Sequence, residues 1–171
     1  MHSLLGEEAE LRYTGLIVSY PGSTDQPWHG DGPHLFGEQT GTLPAHAINV
    51  FIPLHDITEE LGPTELIAGS HKLLENGRVT VPPNTRERTI APLLRKGSVL
   101  LYDFRVIHRG TSNKSTGRKI RYMLYLLFAK PWFQDHINFG DISVFDENIR
   151  EMSDYRKAGE DPNCPGFYFH H

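Results

Sequence analysis

Two histidines and one aspartate in this chain have the types and spacing of a metal-binding site. His29 and Asp31 are separated by one residue, and His108 follows a strand-like apolar stretch much later in the sequence. Because residues i and i+2 of an extended segment point to the same side, His29 and Asp31 can reach one ion together. Two imidazoles and one carboxylate, with the other positions open, form the facial triad that suits non-haem Fe(II) and oxygen chemistry. We therefore predict that His29, Asp31 and His108 are metal ligands and catalytic residues.

An arginine beyond His108 predicts a second binding function beside the metal. A polar turn at residues 111–117 separates His108 from Arg118, and a hairpin there would bring Arg118 back beside the metal. A guanidinium binds a carboxylate through two parallel hydrogen bonds. This arrangement suits a 2-oxo dicarboxylic acid, whose keto-acid end chelates the ion while its far carboxylate meets the arginine. Arg121 is the alternative, because two residues three positions apart on one strand face opposite sides.

Short strands separated by turns must position these residues. Runs rich in β-branched and aromatic residues end at glycine, proline or polar clusters, which is typical of strands and turns. Many such strands favour a mainly β barrel or sandwich, with the metal at its mouth. The predicted strands span residues 11–20, 45–54, 64–68, 88–93, 97–104 and 118–129, and one helix is predicted over 146–157.

Length and composition indicate one globular domain. The chain has 171 residues, with 38% hydrophobic and 22% charged residues, so a disordered chain is excluded. A formal net charge of −4 gives no general case for nucleic acid binding. Cys164 is the only cysteine, and neither a secretory leader nor a membrane span is evident, so we expect a cytoplasmic protein. The sequence gives no indication of the oligomeric state.

Several motifs together resemble the phytanoyl-CoA dioxygenase family of Fe(II)- and 2-oxoglutarate-dependent oxygenases. They lie in the family's order between residues 28 and 128, about three fifths of the chain. The matching segments are WHGD at 28–31, NVFIPL at 49–54, GPTE at 62–65, AGSHK at 68–72 and HRG at 108–110, followed by Asn113, Ser115 and Arg118.

The resemblance implies a double-stranded β-helix, or jelly roll, with few helices. It implies Fe(II) on His29, Asp31 and His108, and 2-oxoglutarate on Arg118. Phe51 and Thr111 lie where the family often contacts the co-substrate, and Asn49 shares a strand face with Phe51. The expected activity is hydroxylation of an unactivated C–H bond of a small molecule by O2, with release of succinate and CO2.

One departure from the family concerns the N-terminus. Only 28 residues precede His29, whereas family members usually carry a longer, partly helical region that helps to cover the site. We therefore expect a single oxygenase domain over residues 1–171 without the usual N-terminal helical region.

Two other functions stay open at this stage. A catalytically silent jelly roll could bind metal or 2-oxoglutarate as a sensor or interaction module. A cupin-type enzyme could use the metal without 2-oxoglutarate, although such proteins more often have a histidine-rich ligand set. Turnover of 2-oxoglutarate to succinate separates the dioxygenase from the silent module, and dependence of activity on 2-oxoglutarate separates it from the cupin-type enzyme. The sequence does not identify the substrate.

Overall fold

The structure, a computed structural model, describes most of the first 135 residues and a short C-terminal strand. The described residues are 1–32, 35, 43–72, 84–117, 119–135, 138 and, as backbone, 167–170. The predicted helix at 146–157 and Cys164 lie outside the described residues.

Within the described part of the chain, eight strands and two one-turn helices follow one another. A 3-10 turn at Ser70–Lys72 comes between β3 and α2. The elements are α1 (His2–Leu5), β1 (Glu10–Ser19), β2 (Ala47–Pro53), β3 (Thr64–Ile67), α2 (Thr85–Arg88), β4 (Thr89–Ile90), β5 (Leu100–Asp103), β6 (His108–Gly110), β7 (Arg121–Ala129) and β8 (Phe167–His170).

The strands form two antiparallel sheets. The larger sheet has the order β5-β2-β7-β1-β8, and the smaller has the order β4-β3-β6. From β4 to β7, successive strands of the chain alternate between the smaller and the larger sheet, which is typical of a jelly roll. Sequence reasoning therefore gave the right fold class, a double-stranded β-helix with few helices.

The core lies against the inner face of the larger sheet. Along β7 the buried residues are every second one, from Arg121 to Ala129. This period of two arises because successive side chains of a strand point to opposite faces. Phe51, Tyr102 and Tyr125 meet edge-to-face in this core, with Phe51 between the two tyrosines at ring-centroid distances of 5.3 and 5.6 Å. Aromatic pairs favour this geometry.

Most predicted strands are present, with shorter bounds. The strand predicted at 88–93 is only Thr89–Ile90. Arg88 belongs to a helical turn, and β4 pairs with β3 at two positions. The strand predicted at 97–104 begins later, at Leu100. Gly97 has φ +77°, a left-handed conformation that suits glycine in a turn.

His108 and the strand that follows it are placed differently from the prediction. We predicted that the strand ending at Phe104 leads directly to His108, but His108 begins a separate strand, β6, in the other sheet. The Asp103 carboxylate accepts hydrogen bonds from the Arg105 main chain and guanidinium, and Val106 N donates to Asp103 O, which closes a turn. The predicted hairpin is also absent, since β6 pairs with β3 whereas β7 pairs with β1 and β2.

The connection from β6 to β7 is fixed by the side chain of Asn113. This fully buried amide donates to the carbonyl oxygens of Ser19 and Lys119, and its oxygen accepts from Ser115 N. The polar turn therefore closes onto β1 just before β7 begins, which explains the use of asparagine and serine there. No helix of the described residues is long and apolar enough to cross a membrane.

Candidate metal centre and co-substrate pocket

Main-chain hydrogen bonds bring His29 and His108 together. His29 N donates to His108 O at 3.0 Å, and His108 N donates to His29 O at 2.8 Å. The loop that carries His29 thus forms an isolated antiparallel bridge with β6. The two imidazole centroids are 4.4 Å apart as a consequence.

Each imidazole is held in the tautomer that a metal ligand needs. His29 Nδ1 lies 2.9 Å from Pro27 O, and His108 Nδ1 lies 2.9 Å from Val106 O. A carbonyl oxygen can only accept, so each Nδ1 carries the proton and donates it. The Nε2 lone pair of each ring is then available to an ion, as in metal sites where the second nitrogen is fixed by a hydrogen bond.

Asp31 completes a ligand set of the predicted composition. Its Oδ1 lies 3.9 Å from His29 Nε2 and 3.8 Å from His108 Nε2. An ion about 2.1 Å from each ligand atom connects atoms up to about 4.2 Å apart, so Oδ1 can share an ion with either imidazole. Among the described residues these three form a group whose ligand atoms all lie within 4.8 Å of one another. Two imidazoles and a single carboxylate suit Fe(II), and the residues present fit that group.

Three further contacts fix the position of Asp31. Asn49 Nδ2 donates to Asp31 Oδ2, and the Tyr125 hydroxyl donates to Asn49 Oδ1 at 3.1 Å. Asn138 Nδ2 donates to the main-chain oxygen of Asp31 at 2.8 Å, and Asp31 N donates to Phe104 O at 3.3 Å. The aspartate is therefore held at both its side chain and its backbone.

The electrostatics of the site favour a neutral His108. Burial lowers the pKa of His108, and the neighbouring His29 acts in the same direction; Asp31 and the hydrogen bond to Val106 oppose them without reversing the shift. A pKa below 6.5 leaves the ring neutral at physiological pH, which is the form that binds metal. Tyr102 packs its ring against His108 at 4.8 Å.

Arg121 provides a cation in the same cavity. Its side chain is buried, and Nη1 donates to the carbonyl oxygens of Leu61, Gly62 and Thr111. Burial lowers the pKa of Arg121 to about 10, so the guanidinium keeps its charge at neutral pH. Gly62 has φ +80°, and a Cβ there would overlap the Thr111 and Ser112 carbonyl oxygens. Glycine thus lets two backbone segments, 61–62 and 111–112, approach each other beside the guanidinium.

The metal ligands and Arg121 line one cavity of about 150 Å³. A cavity of this size holds a small organic molecule, since an engineered 150 Å³ cavity in another protein binds benzene. Its walls are formed by Ile17, Gln26, His29, Asp31, Phe51, Thr64, His108, Gly110, Arg121, Met123, Tyr125 and Asn138.

The structure places the other predicted site residues as follows. Phe51 lines the cavity with the metal ligands. Asn49 is fully buried and contacts Asp31 rather than lining the cavity. The Thr111 hydroxyl donates to Pro63 O at 2.6 Å, and its carbonyl oxygen accepts from Arg121. Arg118 lies outside the described residues.

Sequence reasoning missed several polar residues of the cavity wall. Thr64 lies in the GPTE motif, and Gln26 precedes the His-x-Asp pair by three positions, so both were within quoted or adjacent segments. Tyr125 shares a strand face with Arg121, and the period of two could have identified it once Arg121 was selected. No local signal indicated Asn138.

A charged cluster lies behind the metal ligands. The Arg109 guanidinium stacks on the Trp28 ring at 4.5 Å, its Nε donates to Glu65 at 2.7 Å, and its Nη1 lies 3.5 Å from Asp25. Trp28 and Arg109 directly neighbour His29 and His108 in sequence. The cation–π contact therefore links the two ligand segments from outside the cavity.

Comparisons with known proteins identify a family and several relatives of this chain. The sequence profile of the family described as "Phytanoyl-CoA dioxygenase (PhyH)" matches residues 1–121. The dioxygenase easH of Epichloe festucae var. lolii is 32% identical over 102 residues, 59% of this chain and 53% of that protein. The iron/alpha-ketoglutarate-dependent dioxygenase ausO of Aspergillus calidoustus is 26% identical over 111 residues, 64% of this chain and 37% of that protein. This chain thus spans about half or less of these relatives.

Solved structures share the fold. EvdMO1 superposes with a TM-score of 0.61 at 25% identity, covering 76% of this chain and 29% of that one. EvdO2 of Micromonospora carbonacea var. aurantiaca, solved with 2-oxoglutarate, gives 0.56 at 20% identity over 75% and 54% of the two chains. The alpha-ketoglutarate-dependent epimerase SnoN gives 0.56 at 18% identity over 75% and 50%. Because the family profile matches well over half of the sequence, this chain belongs to the phytanoyl-CoA dioxygenase (PhyH) family.

Proposed function

We propose that this chain is the oxygenase domain of an Fe(II)- and 2-oxoglutarate-dependent dioxygenase that acts on a small molecule. The observation that carries the proposal is the shared cavity, which places an Fe(II)-type ligand set and a buried guanidinium on its walls. A 2-oxo dicarboxylic acid needs both features, one for its keto-acid end and one for its far carboxylate.

Each end of the co-substrate has a named partner in the proposal. His29, Asp31 and His108 would hold the metal, and Arg121 would bind the distal carboxylate. Phe51 and Met123 supply apolar wall, while Thr64 and Gln26 supply polar side chains. The role first predicted for Arg118 thus passes to Arg121, because Arg121 lines the cavity with the metal ligands.

The proposed reaction is hydroxylation of an unactivated C–H bond. Fe(II) with 2-oxoglutarate supplies the oxidation: one O2, one 2-oxoglutarate and R–H give succinate, CO2 and R–OH. The residues of this chain contribute binding, orientation and exclusion of water rather than an acid or base. The fold neighbour SnoN is described as an epimerase, so the fold alone does not determine which reaction occurs at the substrate carbon.

Two measurements test the proposal. Anaerobic addition of Fe(II) and then 2-oxoglutarate should produce the weak visible charge-transfer band of the chelate. Under air, 2-oxoglutarate with candidate substrates should yield succinate and hydroxylated product in equal amounts. A band without succinate would favour the silent binding module, and metal-dependent turnover without 2-oxoglutarate would favour a cupin-type enzyme.

A further inference from the structure

Asn49 occupies a position that neither the cavity nor the core explains. It lies in the middle of β2 and is fully buried, with Tyr102 of β5 opposite it on one side and Leu127 of β7 on the other. A buried amide costs free energy unless its polar atoms are hydrogen-bonded. An apolar residue would fill this place in the sheet core without the free-energy cost of desolvating an amide. The presence of asparagine therefore needs a physical reason.

Both ends of the Asn49 amide are used, and in a fixed direction. A carboxylate can only accept, so the nitrogen of the amide must be the atom that faces Asp31 Oδ2. The amide oxygen then faces Tyr125, whose hydroxyl donates to it at 3.1 Å. Burial, and next the charge of Asp31, raise the pKa of Tyr125, which keeps this hydroxyl protonated as a donor. Tyr125, Asn49 and Asp31 thus form a directed chain of hydrogen bonds.

The chain of hydrogen bonds ends on one oxygen of the carboxylate. Asn49 takes Oδ2, while Oδ1 is the oxygen that lies 3.9 and 3.8 Å from the two imidazole nitrogens. An oxygen that already accepts a directed hydrogen bond is a poorer second ligand for the same ion. The two oxygens of Asp31 therefore have different roles, one toward the metal and one toward the protein.

We infer that Asn49, braced by Tyr125, is a positioning residue that holds Asp31 as a one-oxygen metal ligand. The inference rests on the proposed function, since it concerns the same site. Ligation through one oxygen leaves three positions of a six-coordinate ion open, and a chelating 2-oxo acid needs two of them. Ligation through both oxygens would remove one of these positions. Asn49 thus serves co-substrate binding through Asp31.

The test compares metal and co-substrate affinity in Asn49→Leu and the wild type. Leucine keeps the branched shape of asparagine and its number of side-chain heavy atoms but cannot donate to Oδ2. Mn(II) affinity, measured from the EPR signal of free Mn(II), should fall roughly ten- to a hundred-fold, as is typical when an outer partner of a ligand is removed. The affinity of the Mn(II)-loaded protein for 2-oxoglutarate should fall as well. The visible spectrum of bound Co(II) should change in shape, because the ligand atoms differ.

Val50→Ala is the matched control. Val50 follows Asn49 on β2, is equally buried and packs on the opposite face in the cluster with Leu5 and Ile48. Its truncation should lower the melting temperature without changing Mn(II) affinity or the Co(II) spectrum. If Val50→Ala weakens metal binding as much as Asn49→Leu, the effect of Asn49 is general destabilisation and the inference is overturned.

Tyr125→Phe tests the hydrogen bond from Tyr125 to Asn49. It also provides a test if Asn49→Leu does not fold. It removes one oxygen and should weaken Mn(II) binding severalfold, with the same change in the Co(II) spectrum to a smaller extent. If Mn(II) affinity and the Co(II) spectrum are unchanged in Tyr125→Phe, or in a folded Asn49→Leu, the inference is overturned and the proposed function is not. A wild-type protein that binds no Mn(II), Co(II) or Fe(II) overturns the proposed function instead.

Discussion

The two ends of the cavity are built by different means. At the metal end, the imidazoles of His29 and His108 are oriented by carbonyl oxygens only two residues earlier in the chain. At the other end, Arg121 is held by the carbonyl oxygens of Leu61, Gly62 and Thr111, which come from distant segments. The two imidazoles are oriented locally once their segments meet, whereas the guanidinium is held only when residues 61–62 have been brought against the start of β7.

This difference separates the two binding functions. The metal ligands need each other but not the arginine, because their hydrogen bonds involve neither Arg121 nor its carbonyl partners. We therefore expect changes at the metal end to abolish both metal and co-substrate binding. Changes at the arginine end should spare the metal.

The largest expected effect is the loss of metal binding when a ligand is removed. His29→Ala, Asp31→Ala and His108→Ala should each abolish Fe(II) binding, because each removes one of three protein ligands. Asp31→Glu should fail too, since an added methylene displaces the carboxylate from a geometry that tolerates about 0.5 Å. Anaerobic Fe(II) titration is the measurement, with circular dichroism to verify folding. Wild-type affinity in any alanine variant would remove that residue from the ligand set.

The next effect separates the arginine end from the metal end. Arg121→Ala should weaken 2-oxoglutarate binding by ten- to several-hundred-fold, because a charge-assisted hydrogen bond contributes roughly 1.5–3 kcal/mol. Arg121→Lys keeps the charge without the fork and should lose less. Both should bind Mn(II) normally, measured by titration before 2-oxoglutarate is added.

Arg118→Ala is the matched control for the Arg121 variants. It removes a cation three positions earlier in the sequence and should leave co-substrate affinity nearly intact. If Arg118→Ala is the damaging change and Arg121→Ala is silent, the role returns to Arg118. If neither substitution changes 2-oxoglutarate affinity, a silent binding module or a cupin-type enzyme becomes the better explanation.

Metal loading should stabilise the fold by a smaller, measurable amount. Binding to the native state alone contributes about 2.7 kcal/mol at a hundred-fold excess over the dissociation constant. The melting temperature should rise with Mn(II), and 2-oxoglutarate should raise it further in the wild type but not in Arg121→Ala. Equal melting temperatures with and without both ligands would show that the site does not form.

The smallest effect concerns the turn before His108. Burial raises the pKa of Asp103, but the hydrogen bonds and charge of Arg105 outweigh it, so the net pKa lies below 3.8. A depressed pKa contributes stability that is present above about pH 4 and lost as pH falls through the folded-state value. Asp103→Asn should cost roughly 2 kcal/mol at pH 7. Urea unfolding at several pH values should show this difference shrinking below pH 4, and a constant difference would contradict the assignment.

The metal end could be predicted from sequence because its information is local. A His-x-Asp pair places two ligands on one side of an extended segment in any fold. The third predicted ligand, His108, lies beside this pair even though its strand was misplaced. The sheet in which His108 lies depends on the Asp103–Arg105 turn, but the ability of an imidazole to bind metal does not.

The arginine end could not be predicted with the same security. Both faces of β7 are apolar, with Met123 and Leu127 inward and Leu124 and Leu126 outward, so hydrophobic pattern does not show which face is buried. The register depends on pairing with β1 and β2, which is a property of the closed barrel. Asn49 was selected for its strand face, but its contact with Asp31 needs a loop brought from another part of the chain.

The most direct test of the account is the anaerobic charge-transfer band, compared across three proteins at saturating Fe(II). The wild type should develop the band on titration with 2-oxoglutarate at one chelate per chain. Arg121→Ala should require a much higher 2-oxoglutarate concentration for the same band, and His108→Ala should give none. A wild-type protein that binds Fe(II) but shows no band at any 2-oxoglutarate concentration would contradict the central claim that one cavity holds both.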